Sequence, residues 1–415
     1  MKLSVAILLV ATSAYGSTLV VNNNKANTSS PCSTAGYKTI GAAITAAHSG
    51  DSIVVCPGIY PEAVYINKPS LKLTGLSADG SSRIELLPSA GIQTTDPNAN
   101  ADNSRENVIL LVDSVAGVEI SNISVNGSKA TNTCATGNVG IYFRNASGSV
   151  SDSTVAYIGL NHDGSLSACQ EGVGVYADNG SGKLANLTVT GSSVHNYNKN
   201  GITANGSGTT LVAENNTITG AGRTAVLAQN GIQAGVGAKG TFIGNMISAN
   251  NCTPSSGAAT SILFYQADDG QANDNVISES NNAIDFYFSN HGTANGNTVS
   301  KAINYDALDE VWSDYTVFEH NVITIVLEAS SSGIYLCGGS HEKVENDAIN
   351  DAPIGVINDQ SSVDGCNGET ANSILSNTYF NVGNDVLTLT DNSPKLRNSF
   401  IQPQQHERAK PSPLL

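Results

Sequence analysis

The chain has 415 residues, of which 19 are basic and 35 acidic, for a formal net charge of −16 with only 13% charged side chains. Phosphate recognition draws on clustered Lys and Arg, so this balance argues against nucleic acid as the main partner. It would equally repel a polyanionic sugar unless a metal or a local Arg intervened. With 41 Gly, 46 Asn, 2 Met and 1 Trp, the composition disfavours helical bundles and favours a chain of many turns.

Lys2 is followed by an apolar run from Leu3 to Val10 and then by small residues, with Ala14 and Gly16 spaced like a signal-peptidase site. Residues 1–16 therefore read as a signal peptide. The expected localisation is secreted, extracellular or periplasmic if the source has an outer membrane. No stretch approaches the ~20 apolar residues of a membrane helix. Export permits disulfides, and there are seven Cys without CxxC spacing, which leaves zinc or redox readings little support.

Residues 38–49 place Ile40, Ile44 and Ala47 on one helical face, with Gly50 as a stop. Strand-like Ile53–Val55, Val64–Ile66 and Leu71–Leu73 follow. Cys32 and Cys56 bracket the helix and are expected to pair. Cys134 and Cys169 are offset by 35 residues where the flanking repeats align at 34, and are expected to pair as well. Cys337 with Cys366 is the third expected bridge, with Cys252 left over.

From Val125 to Ile349 an Asn-x-aliphatic segment recurs at intervals of 22 to 34 residues, most clearly at Asn216, Asn245, Asn275, Asn297 and Asn321. Five windows, 231–247, 261–277, 283–299, 307–323 and 333–349, align without gaps. Their second column reads Ile232, Ile262, Ile284, Leu308, Ile334, and their last Ile247, Ile277, Val299, Ile323, Ile349. Between these columns the pattern alternates with period two and breaks at Gly and Asn, which is the signature of strands and turns. Such a repeat predicts an all-β parallel solenoid of about a dozen coils over residues 17–402, capped by the short helix, with 403–415 as a flexible tail. The Asn column is read as structural, since stacked amides satisfy one another in a turn.

Residues 264–335 hold 10 of the 23 aromatic residues, the only Trp, and 11 of the 35 acids against one base, Lys301. Column three places Asp285 beside Asp309 with parity opposite to the inward Ile column, so both are expected to face solvent on strands ~4.8 Å apart. Two carboxylates so close cannot both ionise cheaply, which suits one as acid and the other as base or nucleophile. The candidate catalytic residues are Asp285, Asp309, Asp268, Asp269 and His291. Tyr265, Tyr287, Trp312, Asp314 and Tyr315 are the candidate substrate contacts, although Trp312 has the parity of a core residue. The other reading of the carboxylate pair is a solvated ladder or a Ca²⁺ site built from oxygen ligands.

The stretch from Tyr37 to Gly75 resembles the amino-terminal cap and first coils of right-handed parallel β-helix proteins of the pectin lyase-like superfamily, and the later coils resemble their generic repeat. That superfamily contains hydrolases, esterases, lyases, epimerases and non-enzymatic binding proteins. Asp268-Asp269 and Asn290-His291-Gly292 resemble elements of polygalacturonase-like hydrolases, but Asn161-His162-Asp163 stands three to four coils away. Ile284-Asp285-Phe286-Tyr287-Phe288-Ser289 resembles a strand of pectin methylesterases, whose essential Arg is replaced by the run Asp309-Glu310-Val311-Trp312. The Lys and Arg set of polysaccharide lyases is not found, Arg144 facing Asp178 in the aligned coils. The sequence therefore points to a protein that binds or processes extracellular polysaccharide, as a paired-carboxylate hydrolase, a non-catalytic binding or structural β-helix, or an esterase- or lyase-like enzyme. The oligomeric state stays open.

Overall fold

The computed structural model describes residues 16–76, 84–97, 105–130, 134–180, 182–253, 258–302, 306–325, 332–362, 365–366 and 371–391. Most of the expected signal peptide and the whole expected tail lie outside them. Described strands form three stacked sheets of 13, 12 and 13 strands, running from Thr18–Val21 to Asn384–Leu389. One coil places Gln271–Asn273 in the first sheet, Val276–Ser278 in the second and Asn282–Tyr287 in the third. Within the sheets pairing is parallel, except where Ile92–Thr95 lies antiparallel to Arg105–Asp113. Among the described residues no helix is long and apolar enough to cross a membrane.

The interior follows the predicted columns. Ile232, Ile262, Ile284, Leu308 and Ile334 are fully buried in register, as are Ile247, Ile277, Ile323 and Ile349. Phe242, Phe264 and Phe286, all fully buried, stack inside the solenoid at 5.1 and 4.8 Å between centroids. Between the first and second sheets the chain turns in two residues, the first left-handed as at Asn215, Asp274 and His320. Glycine meets that backbone demand at Gly244 and Gly296.

The second turn residue is the Asn of the repeat. Asn245 donates its backbone N–H and its Nδ2 to Asn275 Oδ1, at 2.9 and 3.0 Å, and Nδ2 also to Ala213 O at 2.9 Å. The same pattern joins Asn216, Asn275, Asn297 and Asn321, all buried, so the amide column is structural as expected. It extends past the predicted members through Asp347 to Asn377.

The cap helix spans Ile40–Ala46, shorter than the predicted 38–49. Ile40, Ala43 and Ile44 close the solenoid's end. Thr39 and the Glu62 carboxylate accept the first free backbone N–H groups. The Asp51 carboxylate takes the His48 and Ser17 N–H groups, and the chain leaves the helix at an extended Ala47. All three expected disulfides form, Cys32–Cys56, Cys134–Cys169 and Cys337–Cys366, and Cys252 is free and buried.

Candidate functional site

The third sheet carries the candidate site, because its outward face is not a plain solvent surface. In the amino-terminal half Val108, Leu111, Val139, Tyr142, Val173 and Tyr176 form a second apolar cluster there, with Ile92 of the antiparallel arm packed against it. Further along the same face the residues become polar. Asn200 and Asn230 both donate to Gln233 Oε1 at 3.1 Å, and Asn282 donates to Asp309 Oδ2 at 2.9 Å.

Asp285 and Asp309 are register partners on neighbouring strands, pointing away from the core as their parity requires. The expectation that they face solvent is corrected, for they are only 4% and 3% exposed. Side chains of adjacent positions stand around them. Asn282 bonds Asp309, Tyr335 occupies the next rung of the same column, and the charge of Asp306 is felt at Asp309. Asp306 itself accepts the backbone N–H and the hydroxyl of Ser332 at 2.8 and 2.5 Å. Oδ1 of Asp285, Oδ1 of Asp309 and Oδ1 of Asn282 have no hydrogen-bond partner among the described residues.

Burial is costly for the ionised form and pushes the Asp285 carboxyl up to about 7. Asp309 is held well above the usual carboxylate range by burial, then by the charges of Asp285 and Asp306, against the opposing Asn282 bond. Around neutral pH the pair therefore retains a proton.

At the end of the same strands Tyr265 and Tyr287 stack at 5.6 Å with planes 7° apart. Tyr287 meets the Trp312 ring edge-on at 5.5 Å. Trp312 is not core. It occupies a left-handed turn position, stacks on Phe288 at 4.9 Å and donates its Nε1–H to Gly365 O at 2.9 Å. The aromatic group thus borders the carboxylate pair, close enough for the Asp285 charge to be felt at Tyr287.

The remaining predicted residues fall elsewhere on the coil, in the turn from the third sheet to the first. Asp268 Oδ1 accepts the Asn290 N–H at 2.8 Å, Asn290 Oδ1 accepts the Asp314 N–H at 2.9 Å, and Asp314 Oδ1 accepts the Ser340 N–H at 2.9 Å. These carboxylates tie successive turns together. Asp269, His291 and Tyr315 are exposed left-handed residues beside them. Asp269 pairs with Lys239 at 3.0 Å, and the His291 and Tyr315 rings stack at 5.3 Å. Asn161-His162-Asp163 lies in an exposed turn, its Asp163 carboxylate held by Ser165. Among the described residues no group of three or more His, Cys, Asp or Glu side chains is arranged to hold a metal ion.

Asn282 and Asp306 were missed by sequence reasoning, and Tyr335, aligned in the column of Asp285 and Asp309, was given no role. The signal was available in the small residues Gly231, Ser261, Ala283, Ala307 and Gly333, which precede each inward aliphatic in the third sheet. A small residue tucked inward there turns its predecessor, Asn230, Asn282 or Asp306, to the outer face. A second buried acid pair was also missed: Tyr176 Oη lies 2.9 Å from Asp96 Oδ2 and 2.8 Å from Asp178 Oδ2. Burial and Asp96 hold the Asp178 carboxyl far above its usual range. Arg144, aligned with Asp178, pairs instead with Asp113 at 3.0 Å and donates to Thr95 O at 2.8 Å.

No family model matches the chain, and no curated protein matches it in sequence. Among solved structures the GH136 lacto-N-biosidase from Eubacterium ramulus is similar, with a TM-score of 0.60 at 10% identity over 90% of this chain and 68% of that one. The Dettilon tailspike protein gives a TM-score of 0.51 at 13% identity over 82% of this chain and 62% of that one. The fold is the right-handed parallel β-helix. At these identities the likeness is one of fold.

Proposed function

We propose that this chain is an exported enzyme that hydrolyses a neutral glycan on the outer face of its third sheet, with Asp309 as the acid and Asp285 as the nucleophile. The observation that carries the reading is the stacked carboxylate pair, buried and raised in pKa, with unpartnered oxygens. Such a pair is costly for folding alone. Neighbouring strands lie ~4.8 Å apart, close to the ~5–5.5 Å carboxyl separation of retaining glycosidases.

Asp309, the more strongly raised of the two, donates its proton to the glycosidic oxygen while the Asp285 carboxylate attacks the anomeric carbon and the bond to the leaving sugar breaks. Water, deprotonated by Asp309, then hydrolyses the glycosyl ester and frees Asp285. Tyr265, Tyr287 and Trp312 supply flat apolar faces for the sugar rings. A neutral glycan is favoured because the described outward residues of the third sheet from Asn200 to Tyr335 include no Lys or Arg. Export is supported by the three disulfides and the apolar start of the chain. The lacto-N-biosidase neighbour, named for action on an oligosaccharide, supports the substrate class only through shared fold.

The test is reducing-sugar release from a panel of neutral oligosaccharides by the parent, Asp285→Asn and Asp309→Asn. Each variant is expected to lose at least ~10³-fold in kcat while melting at or above the parent's temperature, because a costly buried carboxylate is removed. Parent activity should rise through about pH 7 as Asp285 ionises. Full turnover in both variants would remove the pair from the chemistry.

A further inference from the structure

We propose that the interior of the β-helix holds a divalent cation between Glu310, Glu342 and Thr316, and that Ca²⁺ is the ion its oxygen ligands fit. This site is separate from the outward Asp285–Asp309 pair and does not depend on the activity assigned to it.

Glu310 stands in an inward column, between Phe286 and Leu336, and is fully buried. Its carboxylate is fixed in place, Oε1 accepting the Ser313 N–H at 2.6 Å and Oε2 the Cys337 N–H at 3.1 Å. Glu342 is equally buried, and neither of its oxygens has a well-formed hydrogen bond among the described residues, although the Glu342 and Tyr315 N–H groups lie near enough to oppose part of the burial cost. Thr316 precedes Val317, the register partner of Lys343, so it lies one rung before Glu342 in the same turn. It too is fully buried, with an unpartnered Oγ1.

Gly339 shows that the two carboxylates and the Ser313 carbonyl converge on one space. A Cβ at that position would sit 2.7 Å from Glu310 Oε1 and 2.7 Å from Glu342 Oε1, and against the Ser313 carbonyl oxygen. The two carboxylate oxygens are therefore no more than 2.7 + 2.7 = 5.4 Å apart. A single Ca²⁺ with ligands at ~2.3–2.6 Å spans two oxygens up to about 5 Å apart.

Backbone N–H groups offset the burial of Glu310, whereas the neighbouring Glu342 carboxylate carries a desolvation cost that an opposite charge or a proton would remove. No Lys, Arg or His is paired with Glu342 among the described residues. A divalent ion balances both charges. The other ligands are hard neutral oxygens, the Thr316 hydroxyl and the Ser313 carbonyl, which suit Ca²⁺ better than Mg²⁺ with its rigid octahedron and retained waters. Unpartnered oxygen donors on two rungs are what a cation at this position would satisfy at once.

The experiment uses the full chain, stripped with EDTA and then given CaCl₂, with melting temperature and retained Ca²⁺ per chain as readouts. The parent is expected to retain one Ca²⁺ on dialysis and to melt at least ~3 °C higher with Ca²⁺ than in EDTA. Glu342→Gln should lose both the retained ion and the shift, while melting above the parent in EDTA because one buried charge is gone. Asp285→Asn should keep the parent's response. Thr316→Val leaves both carboxylates in place and should weaken Ca²⁺ binding by about tenfold, so the proposal can be tested even if Glu342→Gln misfolds. A parent with no retained Ca²⁺ and the same melting temperature in both conditions overturns the proposal and leaves Glu342 simply protonated. A Ca²⁺ response that survives in both Glu342→Gln and Thr316→Val overturns it by placing the ion elsewhere.

Discussion

Asp347 is the carboxylate in a ladder otherwise continued by amides. Its Oδ1 accepts the Asn321 N–H and Nδ2 at 2.7 and 2.9 Å, as an Asn would. In the amide members Nδ2 also donates to a carbonyl of the preceding coil, Asn321 to Ala294 O and Asn377 to Val344 O. The corresponding Oδ2 of Asp347 can only accept, and it is buried without a partner among the described residues. Burial raises this carboxyl to about 6, against the lowering effect of the Asn321 bonds. A raised acid binds its proton more tightly folded than unfolded, so its contribution to stability falls as pH climbs from about 4 to about 6 and stays low above. Asp347→Asn should therefore stabilise the protein by on the order of 2 kcal/mol at pH 7.5 and by much less at pH 4. Urea denaturation at the two pH values measures this, and a variant less stable at pH 7.5 would sink the reading. The ladder itself was legible in the Asn spacing, because a period of one coil demands stacking. The burial of Asp285 and Asp309 was not, since parity gives the direction of a side chain but not what stands around it.

At the scale of the coil, the turn after the third sheet decides between a family motif and a packing requirement. Asn290-His291-Gly292 resembles a hydrolase element in sequence, yet each residue has a local task here. Asn290 ties two turns, His291 stacks outside on Tyr315, and a Cβ on Gly292 would run into the Phe286 ring, as one on Gly270 would into Phe264. The glycine is thus paired with the phenylalanine stack inside the solenoid. Gly292→Ala should destabilise by about 1–3 kcal/mol through overpacking, whereas His291→Asn, which keeps a residue tolerant of the left-handed backbone, should change stability by less than about 0.5 kcal/mol. The contrast is read from paired denaturation curves, and a neutral Gly292→Ala would mean that the ring has room to move. The strands and their order were legible from period-two runs and Gly/Asn breaks. The arm at Ile92–Thr95 was not, because an antiparallel strand laid across one face has no repeat to reveal it. With it went the Asp96–Tyr176–Asp178 contact, which joins residues 80 positions apart.

Over the whole molecule the buried carboxylates add up to a direction. Asp178, Asp285, Asp306, Asp309, Glu342 and Asp347 are all raised, in each case chiefly by burial. Asp285 and Glu342 reach about 7 and Asp347 about 6. Between pH 5 and 8 the unfolded chain has already lost these protons while the folded chain still holds several of them. The folded state binds more protons in that window, so stability must fall as pH rises through it. The formal charge of −16 acts in the same direction, since each added negative charge increases self-repulsion in the compact state. The acids shifted the other way, Asp51, Asp163 and Asp391, are lowered chiefly by hydrogen bonds and lose that stabilisation only as pH drops below the ordinary carboxylate range. Melting temperature measured in EDTA should therefore be highest near pH 5 and decline by several degrees toward pH 8, with the decline reduced in Asp347→Asn and Glu342→Gln. A melting temperature that rises from pH 5 to 8 would mean that these carboxylates ionise freely in the folded protein, reached by water along the outer face of the third sheet and inside the solenoid alike.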